Sequence, residues 1–211
     1  MTRIVPAILG ALLAIATVQD ARAQSASEPR TLSAQELQAF APELRRGGYV
    51  LYFRHLDTAQ DQEDIQPVDL NDCRKQRNLS ESGIARGKAI ASAFRKLRIP
   101  IGEVLSSPFC RTMETGRLVA GKATVDLDLF FAIALTREGK ERKGLALRGL
   151  LARIPQGATN TLVIGHTANL YEAHGYWPQP EGVAYVFRPD GNGGAIAIAR
   201  VTPETWSAAA R

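Results

Sequence analysis

The chain has 211 residues with a formal net charge of +5, and 45% of its residues are hydrophobic. This composition is typical of a globular protein. The basic residues are scattered rather than clustered with aromatic residues, so the sequence does not support a nucleic-acid-binding surface. Beyond the amino-terminal segment, no stretch is apolar for long enough to cross a membrane.

Residues 1–23 have the pattern of a secretory signal peptide. Arg3 precedes an apolar run over residues 4–18, and Ala21-Arg22-Ala23 matches the small-x-small sequence that signal peptidase cleaves. The alternative is a membrane anchor, but the apolar run is shorter than the roughly 20 residues that a bilayer-spanning helix needs. We therefore expect cleavage near Ala23, a periplasmic or secreted location, and no stable membrane insertion of the mature chain.

The mature chain is predicted to fold as one domain, because its roughly 190 residues lie within the size range of a single domain. Residues 24–32 are expected to form a flexible amino terminus, and residues 33–211 to form the domain. Ser33-x-x-Glu36 is a capping box that predicts the start of a helix. Pro42 is expected to break or restart this helix.

Strand-like and helical segments then alternate along the chain. Short continuous apolar runs predict buried strands, and apolar residues at helical spacing predict amphipathic helices between them. The predicted strands are residues 49–53, 104–106, 161–164, 183–187 and 195–201, and later helices are predicted near Ser80, Pro108 and Lys140. The last two strands are expected to pair as a hairpin. This alternation predicts an α/β fold built on a layered sheet.

Two of the three histidines directly follow predicted strands. His55 comes after the first strand together with Arg54, and His166 comes after the strand and glycine at residues 161–165. In open α/β sheets, ligands bind at the carboxyl ends of the strands. Arg111 lies in the first turns of a predicted helix, and two arginines aimed at one point bind phosphate well. A neutral histidine between them can act as a nucleophile towards phosphorus.

Three motifs carry a resemblance that covers roughly residues 48–170. They are Leu51-x-x-Arg54-His55-x-x-Thr58, Leu105-Ser106-Ser107-Pro108-x-x-Arg111-Thr112-x-x-Thr115 and Val163-Ile164-Gly165-His166. In this order they resemble the motifs of the histidine phosphatase superfamily, which includes the cofactor-dependent phosphoglycerate mutases and many small phosphatases. Each motif alone is weak, whereas the three together are a strong signal.

The resemblance implies a phosphoglycerate mutase-like, three-layer α/β/α sandwich with a mostly parallel central sheet. It implies that His55 is the nucleophile. Arg54, Arg111 and His166 would hold the phosphoryl oxygens, and Thr58 would also bind phosphate. Neither a metal nor another cofactor is expected. The implied function is hydrolysis of a small phosphorylated substrate in the periplasm through a phosphohistidine intermediate, whereas a mutase is disfavoured because phosphoglycerates are cytoplasmic.

Two features depart from the family pattern. Glycine follows the first histidine in the family, and here Leu56 is expected to place a bulky side chain against the pocket. The general acid is a glutamate in one branch, where this chain has Phe131, and an aspartate in the other, where it has Thr167. The candidate substitutes are Asp57, Glu172 and Glu138. A second hypothesis is therefore a phosphate-ester-binding module of the same fold with impaired catalysis.

The two cysteines, Cys73 and Cys110, are predicted to form a disulfide, because an exported chain enters a compartment where disulfides persist. The bridge would tie the loop after the first histidine to the segment that carries Arg111. The alternative is a pair of buried free thiols. A two-histidine metal site lacks a third ligand at convincing spacing and is not predicted. The sequence leaves the oligomeric state open.

Overall fold

The computed structural model describes residues 27–211. The predicted signal peptide at residues 1–23 and the next three residues lie outside this part of the chain. Within it, no helix combines the length and the apolar character that a membrane span requires.

A six-stranded sheet forms the centre of the fold. The strands are β1 (Val50–Arg54), β2 (Ile101–Ser106), β3 (Thr124–Val125), β4 (Asn160–Gly165), β5 (Ala184–Pro189) and β6 (Ala195–Val201). Their order across the sheet is β3-β2-β4-β1-β5-β6. Strands β3, β2, β4 and β1 run parallel to one another. Strand β5 pairs antiparallel with β1, and β6 pairs antiparallel with β5 as a hairpin. The predicted α/β fold with a mostly parallel sheet is confirmed.

Helices cover both faces of this sheet. They are α1 (Ala34–Arg46), α2 (Glu81–Lys96), α3 (Cys110–Ala120), α4 (Arg137–Leu151), α5 (Thr167–His174) and α6 (Pro203–Ala209). Residues of α1, α2, α3 and α6 share one hydrophobic core with the sheet, and residues of α4 and α5 share another core on the opposite face. The two cores produce a three-layer sandwich.

The central strand β1 shows why this architecture suits the sequence. Leu51 and Phe53 point into the first core, and Val50 and Tyr52 point into the second. All four side chains are fully buried. A strand covered by helices on both faces needs apolar residues at every position, which is why it appears in the sequence as a continuous apolar run.

Pro42 does not break the first helix. It lies inside α1, which continues to its end at Arg46. A proline removes one helical hydrogen bond, but Leu37 and Leu44 on either side of it are both buried on the same helical face. Burial of this face offsets the lost hydrogen bond, so the helix continues.

Residues 30–32 lie against the outer strand of the sheet, although the sequence predicts a flexible terminus there. The Leu32 N–H donates to the carbonyl of Arg200 at 2.9 Å, and the Arg200 N–H donates to the carbonyl of Arg30 at 3.0 Å. Leu32 is also buried in the first core. These contacts attach residues 30–32, which precede α1, to the edge strand β6.

A long connection, the β1–α2 loop (residues 55–80), follows the first strand. Its only helical turn among the described elements is the 3-10 turn Cys73–Lys75. A disulfide joins Cys73 to Cys110 at the start of α3, as predicted. Because Cys110 directly precedes Arg111, the bridge fixes the loop beside the helical turn that carries this arginine.

Candidate active site

Two neighbouring strands end side by side, and a histidine follows each of them. Arg54 of β1 is paired with Gly165 of β4, and the His55 N–H donates to the Gly165 carbonyl at 3.1 Å. The ring centroids of His55 and His166 are 5.4 Å apart. Only 3% of His55 and 1% of His166 is exposed. The parallel strands thus bring both histidines into one buried site at the carboxyl edge of the sheet.

The His55 ring is held in a defined protonation state. Its Nδ1 lies 2.9 Å from the carbonyl oxygen of Leu56. A carbonyl can only accept a hydrogen bond, so Nδ1 carries the proton and Nε2 keeps its lone pair. Burial, and next the positive charge of Arg111, lower the pKa of His55 well below its ordinary value. At neutral pH the ring is therefore uncharged, and Nε2 can act as a nucleophile.

His166 is fixed by two hydroxyl groups. The Ser107 hydroxyl lies 2.9 Å from its Nε2, and the Tyr52 hydroxyl donates to its backbone carbonyl at 2.7 Å. Burial, and next the charge of Arg111, hold the pKa of His166 well below its ordinary value. When the Ser107 hydroxyl donates to Nε2, the proton of the neutral ring is on Nδ1, which can donate to an anion. The sequence motif contains Ser107 but does not reveal this contact.

Arg54 lies beside His55 and is held by the segment that leads into β5. One terminal nitrogen, Nη2, donates to Glu181 Oε1 at 3.0 Å, and the other, Nη1, donates to the carbonyl of Pro178 at 3.1 Å. Burial lowers the pKa of Arg54, and the charge of Glu181 opposes this effect. Protein contacts to the two terminal nitrogens thus fix the position of the Arg54 guanidinium group.

Arg111 reaches the site from the first turn of α3. Its side chain is only 1% exposed, and its Nη1 donates to Asp64 at 2.9 Å and to the carbonyl of Arg77 at 3.2 Å. The guanidinium carbon lies 4.6 Å from the centre of the Phe109 ring. The β1–α2 loop therefore supplies the polar contacts of Arg111, and Phe109 supplies a flat apolar wall.

Three buried nitrogen atoms of this site have no hydrogen-bond partner within residues 27–211. They are Nε of Arg54, Nε of Arg111 and Nδ1 of His166. Buried polar groups in proteins are normally paired, and a tetrahedral oxyanion offers several acceptors in a small volume. The same described residues contain no group of three or more His, Cys, Asp or Glu side chains that could hold a metal ion. The donor set therefore fits a phosphate-like anion.

Solved structures of known phosphatases share this architecture. The protein histidine phosphatase SixA in complex with tungstate matches with a TM-score of 0.53 and 20% identity, over 74% of this chain and 97% of the other. A phosphoserine phosphatase from Entamoeba histolytica matches with a TM-score of 0.52 and 12% identity, over 75% of this chain and 98% of the other. The chain has the histidine phosphatase fold. A mycobacterial glucosyl-3-phosphoglycerate phosphatase matches equally well, with a TM-score of 0.52 and 13% identity, over 75% of this chain and 99% of the other.

Sequence comparisons alone do not reach this fold. No protein-family model matches the chain, and no curated protein matches it by sequence. Identities of 20% or less to the three structures show a shared fold and leave the reaction open.

Glu181 is a part of the site that the sequence motifs do not indicate. Its carboxylate accepts hydrogen bonds from the backbone N–H of Thr58 at 2.9 Å and from the Thr58 hydroxyl at 3.2 Å, in addition to the bond from Arg54. It also lies 4.0 Å from Nδ1 of His55. The Thr58 hydroxyl, expected to bind phosphate, is directed to this carboxylate. Glu181 thus connects the end of β1 to the start of β5.

The three candidate acids lie on different elements. Asp57 forms an ion pair with Arg86 of α2 at 3.0 Å. Glu172 lies on α5, where its backbone packs against Gly144 of α4. Glu138 is exposed in the first turn of α4. Within residues 27–211, none of the three forms a hydrogen bond or ion pair with either histidine or with Arg54 or Arg111.

An aromatic ring packs on the second histidine. The centroid of the Phe131 ring lies 4.6 Å from that of His166, and Phe109 approaches the same ring at 5.0 Å. Phe131 lies at the position where the resemblance to the histidine phosphatase superfamily places a glutamate. Thr167, at the position of the aspartate in the other branch, is the first residue of α5. The wall of the site is therefore apolar next to His166.

Leu56 does not face the pocket, contrary to the expectation from the family motif. Its side chain is fully buried in the first core. A Cβ atom placed on Gly87 of α2 would lie 2.7 Å from Leu56 Cδ1, and one placed on Gly182 would lie 3.1 Å from Leu56 Cδ2. The absence of side chains at these two glycines makes room for the leucine. Its side chain therefore packs in the core and not against the candidate site.

Proposed function

We propose that the chain belongs to the histidine phosphatase superfamily and hydrolyses phosphomonoesters through a phosphohistidine at His55. The observation that carries this proposal is the state of the His55 ring. Its Nδ1 proton is bound by the Leu56 carbonyl, which leaves Nε2 free to attack. Arg54 and Arg111 lie beside it, each with a buried Nε that has no partner within residues 27–211.

In the first step, Nε2 of His55 attacks the phosphorus atom of the bound ester. An N–P bond forms and the P–O bond to the leaving group breaks, with both electrons going to the leaving oxygen. Arg54, Arg111 and His166 stabilise the charge on the transferring phosphoryl oxygens. The carbonyl of Leu56 stabilises the positive charge that develops on the imidazole, because it holds the Nδ1 proton.

In the second step, a water molecule attacks the phosphohistidine. A new O–P bond forms, the N–P bond breaks, and inorganic phosphate leaves with His55 returned to its neutral state. The water proton is released to the departing phosphate or to solvent. The two steps are chemically balanced without a metal or an additional cofactor.

Within residues 27–211, none of the three candidate acids contacts the histidines or arginines of the site, so no protein proton donor is assigned to the leaving group in the first step. Phe131 packs on His166 where the family has a glutamate, and Asp57 is paired with Arg86. The leaving oxygen would then take its proton from water at the mouth of the pocket. Loss of a general acid commonly costs ~10²–10⁴ in rate and makes the rate sensitive to the leaving group. The proposed substrates are therefore esters of relatively acidic alcohols or phenols.

The proposal places this reaction outside the cytoplasm. The signal-peptide pattern that ends at Ala23 supports export of the chain. The disulfide between Cys73 and Cys110 is consistent with an oxidising compartment. Fractionation of cells that express the full-length chain, followed by amino-terminal sequencing of the product, tests both the location and the cleavage site.

Trapping the covalent intermediate tests the catalytic proposal. The mature chain is mixed with a radiolabelled aryl phosphate and quenched in alkali, in which phosphohistidine survives. We expect a labelled protein whose label is lost in acid, and no label in His55→Ala. His174→Ala is a matched control, because His174 stacks on Tyr176 with 5.7 Å between ring centroids and is not among the pocket residues. Normal turnover by folded His55→Ala would exclude the proposal.

The alternative function is a phosphate-ester-binding module that has lost catalysis. The observation that favours it is the packing of Phe131 on His166 at the position of the missing acid. A binding module would bind phenyl phosphate in calorimetry with a dissociation constant that depends on Arg111, but would release no phosphate during long incubation. Turnover that requires His55 would exclude this alternative.

A further inference from the structure

A third arginine, Arg77, lies at the same pocket and belongs to none of the sequence motifs. Its backbone is anchored to the Arg111 side of the site. The Arg77 N–H donates to Asp64 at 3.0 Å, and the Arg77 carbonyl accepts a hydrogen bond from Arg111 Nη1 at 3.2 Å. Since Asp64 also pairs with Arg111, the position of residue 77 in the β1–α2 loop is coupled to the position of the catalytic-site arginine.

The side chain of Arg77 extends to the opposite side of the pocket. Its Nη2 lies 3.9 Å from Oε1 of Glu181. The same Glu181 oxygen is 3.0 Å from Arg54 Nη2 and 4.0 Å from His55 Nδ1. Arg77 therefore reaches from Arg111 towards Arg54. Its side chain is 35% exposed, compared with 11% for Arg54 and 1% for Arg111, so it lies nearest to solvent.

The three arginines also differ in how their charges are balanced. Arg54 and Arg111 each donate a hydrogen bond to a carboxylate at 3.0 Å or less. The guanidinium group of Arg77 forms no hydrogen bond within residues 27–211, and its contact with Glu181 at 3.9 Å is long. Glu181 is already shared by Arg54 and Thr58. Arg77 thus provides a positive charge that is largely unbalanced and faces the solvent.

We propose that Arg77 binds a second anionic group, a carboxylate or a phosphate, on the leaving-group side of the substrate. The buried arginines are expected to hold the transferred phosphoryl group, and Arg77, the most exposed of the three, is expected to meet the part of the substrate that extends towards solvent. Arginine matches both anions through its planar set of donors. The inference rests on the proposed phosphatase function and restricts its substrates to phosphomonoesters with a second negative charge.

Matched aryl phosphates test this inference. The neutral probe is 4-(carbamoylmethyl)phenyl phosphate, and the charged probes are the corresponding carboxymethyl and phosphonomethyl compounds. The methylene group keeps the leaving-group acidity nearly equal across the set. We expect the wild-type chain to prefer a charged probe by about 10- to 150-fold in kcat/KM, as for a hydrogen bond between charged groups. The carboxymethyl and phosphonomethyl probes distinguish the two kinds of anion.

The preference should be present mainly in KM and should decrease with added salt, because the site is partly exposed. In Arg77→Gln, the ratio of charged to neutral kcat/KM should fall to about one, whereas Arg77→Lys should retain part of it. Arg74→Gln is the matched control on the same loop, since the Arg74 side chain is 90% exposed and pairs with Asp72. This control should keep the wild-type ratio.

Two results would overturn the inference while leaving the phosphatase proposal intact. One is turnover that depends on His55 without any preference for a charged probe in the wild-type chain. The other is an equal loss for all three probes in Arg77→Gln, which would assign Arg77 to the transferred phosphoryl group. Absence of any turnover that depends on His55 would instead overturn the phosphatase proposal, together with the inference that rests on it.

Discussion

The two sides of the pocket are built in different ways. On the sheet side, His55 and His166 follow strands that are buried on both faces and joined by a regular parallel ladder. On the loop side, Asp64 and Arg77 belong to an irregular segment, and a disulfide from Cys73 ties that segment to α3. Apolar packing fixes the strands that carry the histidines proposed to react, whereas a few polar contacts and one covalent link fix the loop proposed to recognise the substrate.

This difference predicts that substitutions on the two sides of the pocket have different effects. Changes on the sheet side should lower kcat, because the reacting groups lose their geometry or their donors. Changes on the loop side should lower stability or raise KM, because the loop can move away while the histidines stay in place. The following experiments test the distinction, beginning with the largest expected effect.

Replacement of the second histidine should have the largest effect. His166→Gln should lower kcat by ~10²–10³, the usual cost of losing one donor that stabilises transition-state charge. The effect should appear in kcat more than in KM, as measured by steady-state phosphate release. His174→Gln provides the comparison, because it removes a histidine that stacks on Tyr176 at the end of α5, the helix that follows His166. A His166→Gln rate within twofold of wild type would show that the sheet side does not hold the chemistry.

Removal of the disulfide should mainly affect stability. The bridge closes a loop with a sequence separation of 37 residues, so Cys73→Ser combined with Cys110→Ser should lower the free energy of unfolding by about 3–4 kcal/mol in the chain-entropy model. Urea unfolding monitored by circular dichroism measures this change. Either single substitution should match the double variant, because each removes the same link. A KM that stays unchanged in a destabilised variant would mean that the bridge does not position the recognition side.

The buried histidines should make the protein sensitive to acid. Burial keeps the pKa of His55 and His166 far below 6.5 in the folded chain, and lowers the pKa of His174 to about 4. Below about pH 6.5 the unfolded chain binds protons at these rings and the folded chain does not. The free energy of unfolding is therefore highest above this pH, and should decrease by about 1.4 kcal/mol per pH unit for each histidine as the pH falls.

Urea unfolding at pH 7.5, 6 and 5 measures this slope. His174→Gln should reduce the slope by the contribution of one ring, while leaving those of His55 and His166. A free energy of unfolding that is constant over this pH range would contradict the assignment of neutral, buried rings.

Loss of the loop carboxylate should have the smallest effect. Asp64→Ala removes the acceptor shared by the Arg111 side chain and the Arg77 backbone. Loss of a hydrogen bond to a charged group usually costs about 1.5–3 kcal/mol. We expect only part of this free energy to affect substrate binding, as a several-fold higher KM with little change in kcat. Asp69→Ala is the control, because Asp69 pairs with Lys75 at the exposed surface of the same loop. An effect confined to kcat would place Asp64 on the catalytic side of the comparison.

The central strands β1, β4 and β5 could be predicted from the sequence because they are short apolar runs that are buried on both faces over most of their length. The positions of His55 and His166 followed from the ends of two such runs. The partners of the arginines could not be predicted in the same way. Glu181 is 127 residues from Arg54, and Asp64 is 47 residues from Arg111. Such pairs are set by the way loops fold over the sheet edge, and an isolated acidic residue in a loop carries no periodic signal.

The two ends of the described chain show the same limit of local sequence patterns. Residues 30–32 form a short and partly polar segment, but the edge strand β6 forms backbone hydrogen bonds with them through Arg200. The last helix, α6, has only seven residues, yet it buries Trp206 beside Phe53 and Phe94. In both cases tertiary contacts stabilise a segment whose local sequence is a weak predictor.

The packing of Leu56 determines how this chain can diverge. The Leu56 side chain fills the space left by the missing side chain of Gly87 in the core. The residues at positions 56 and 87 should therefore change together. A relative with glycine at position 56 has room for a side chain at position 87, and an intermediate with large residues at both would be overpacked. The residue type at position 56 would then depend on which side chain α2 carries at position 87. Variation at position 56 among homologues would therefore reflect core packing and would not measure catalytic ability.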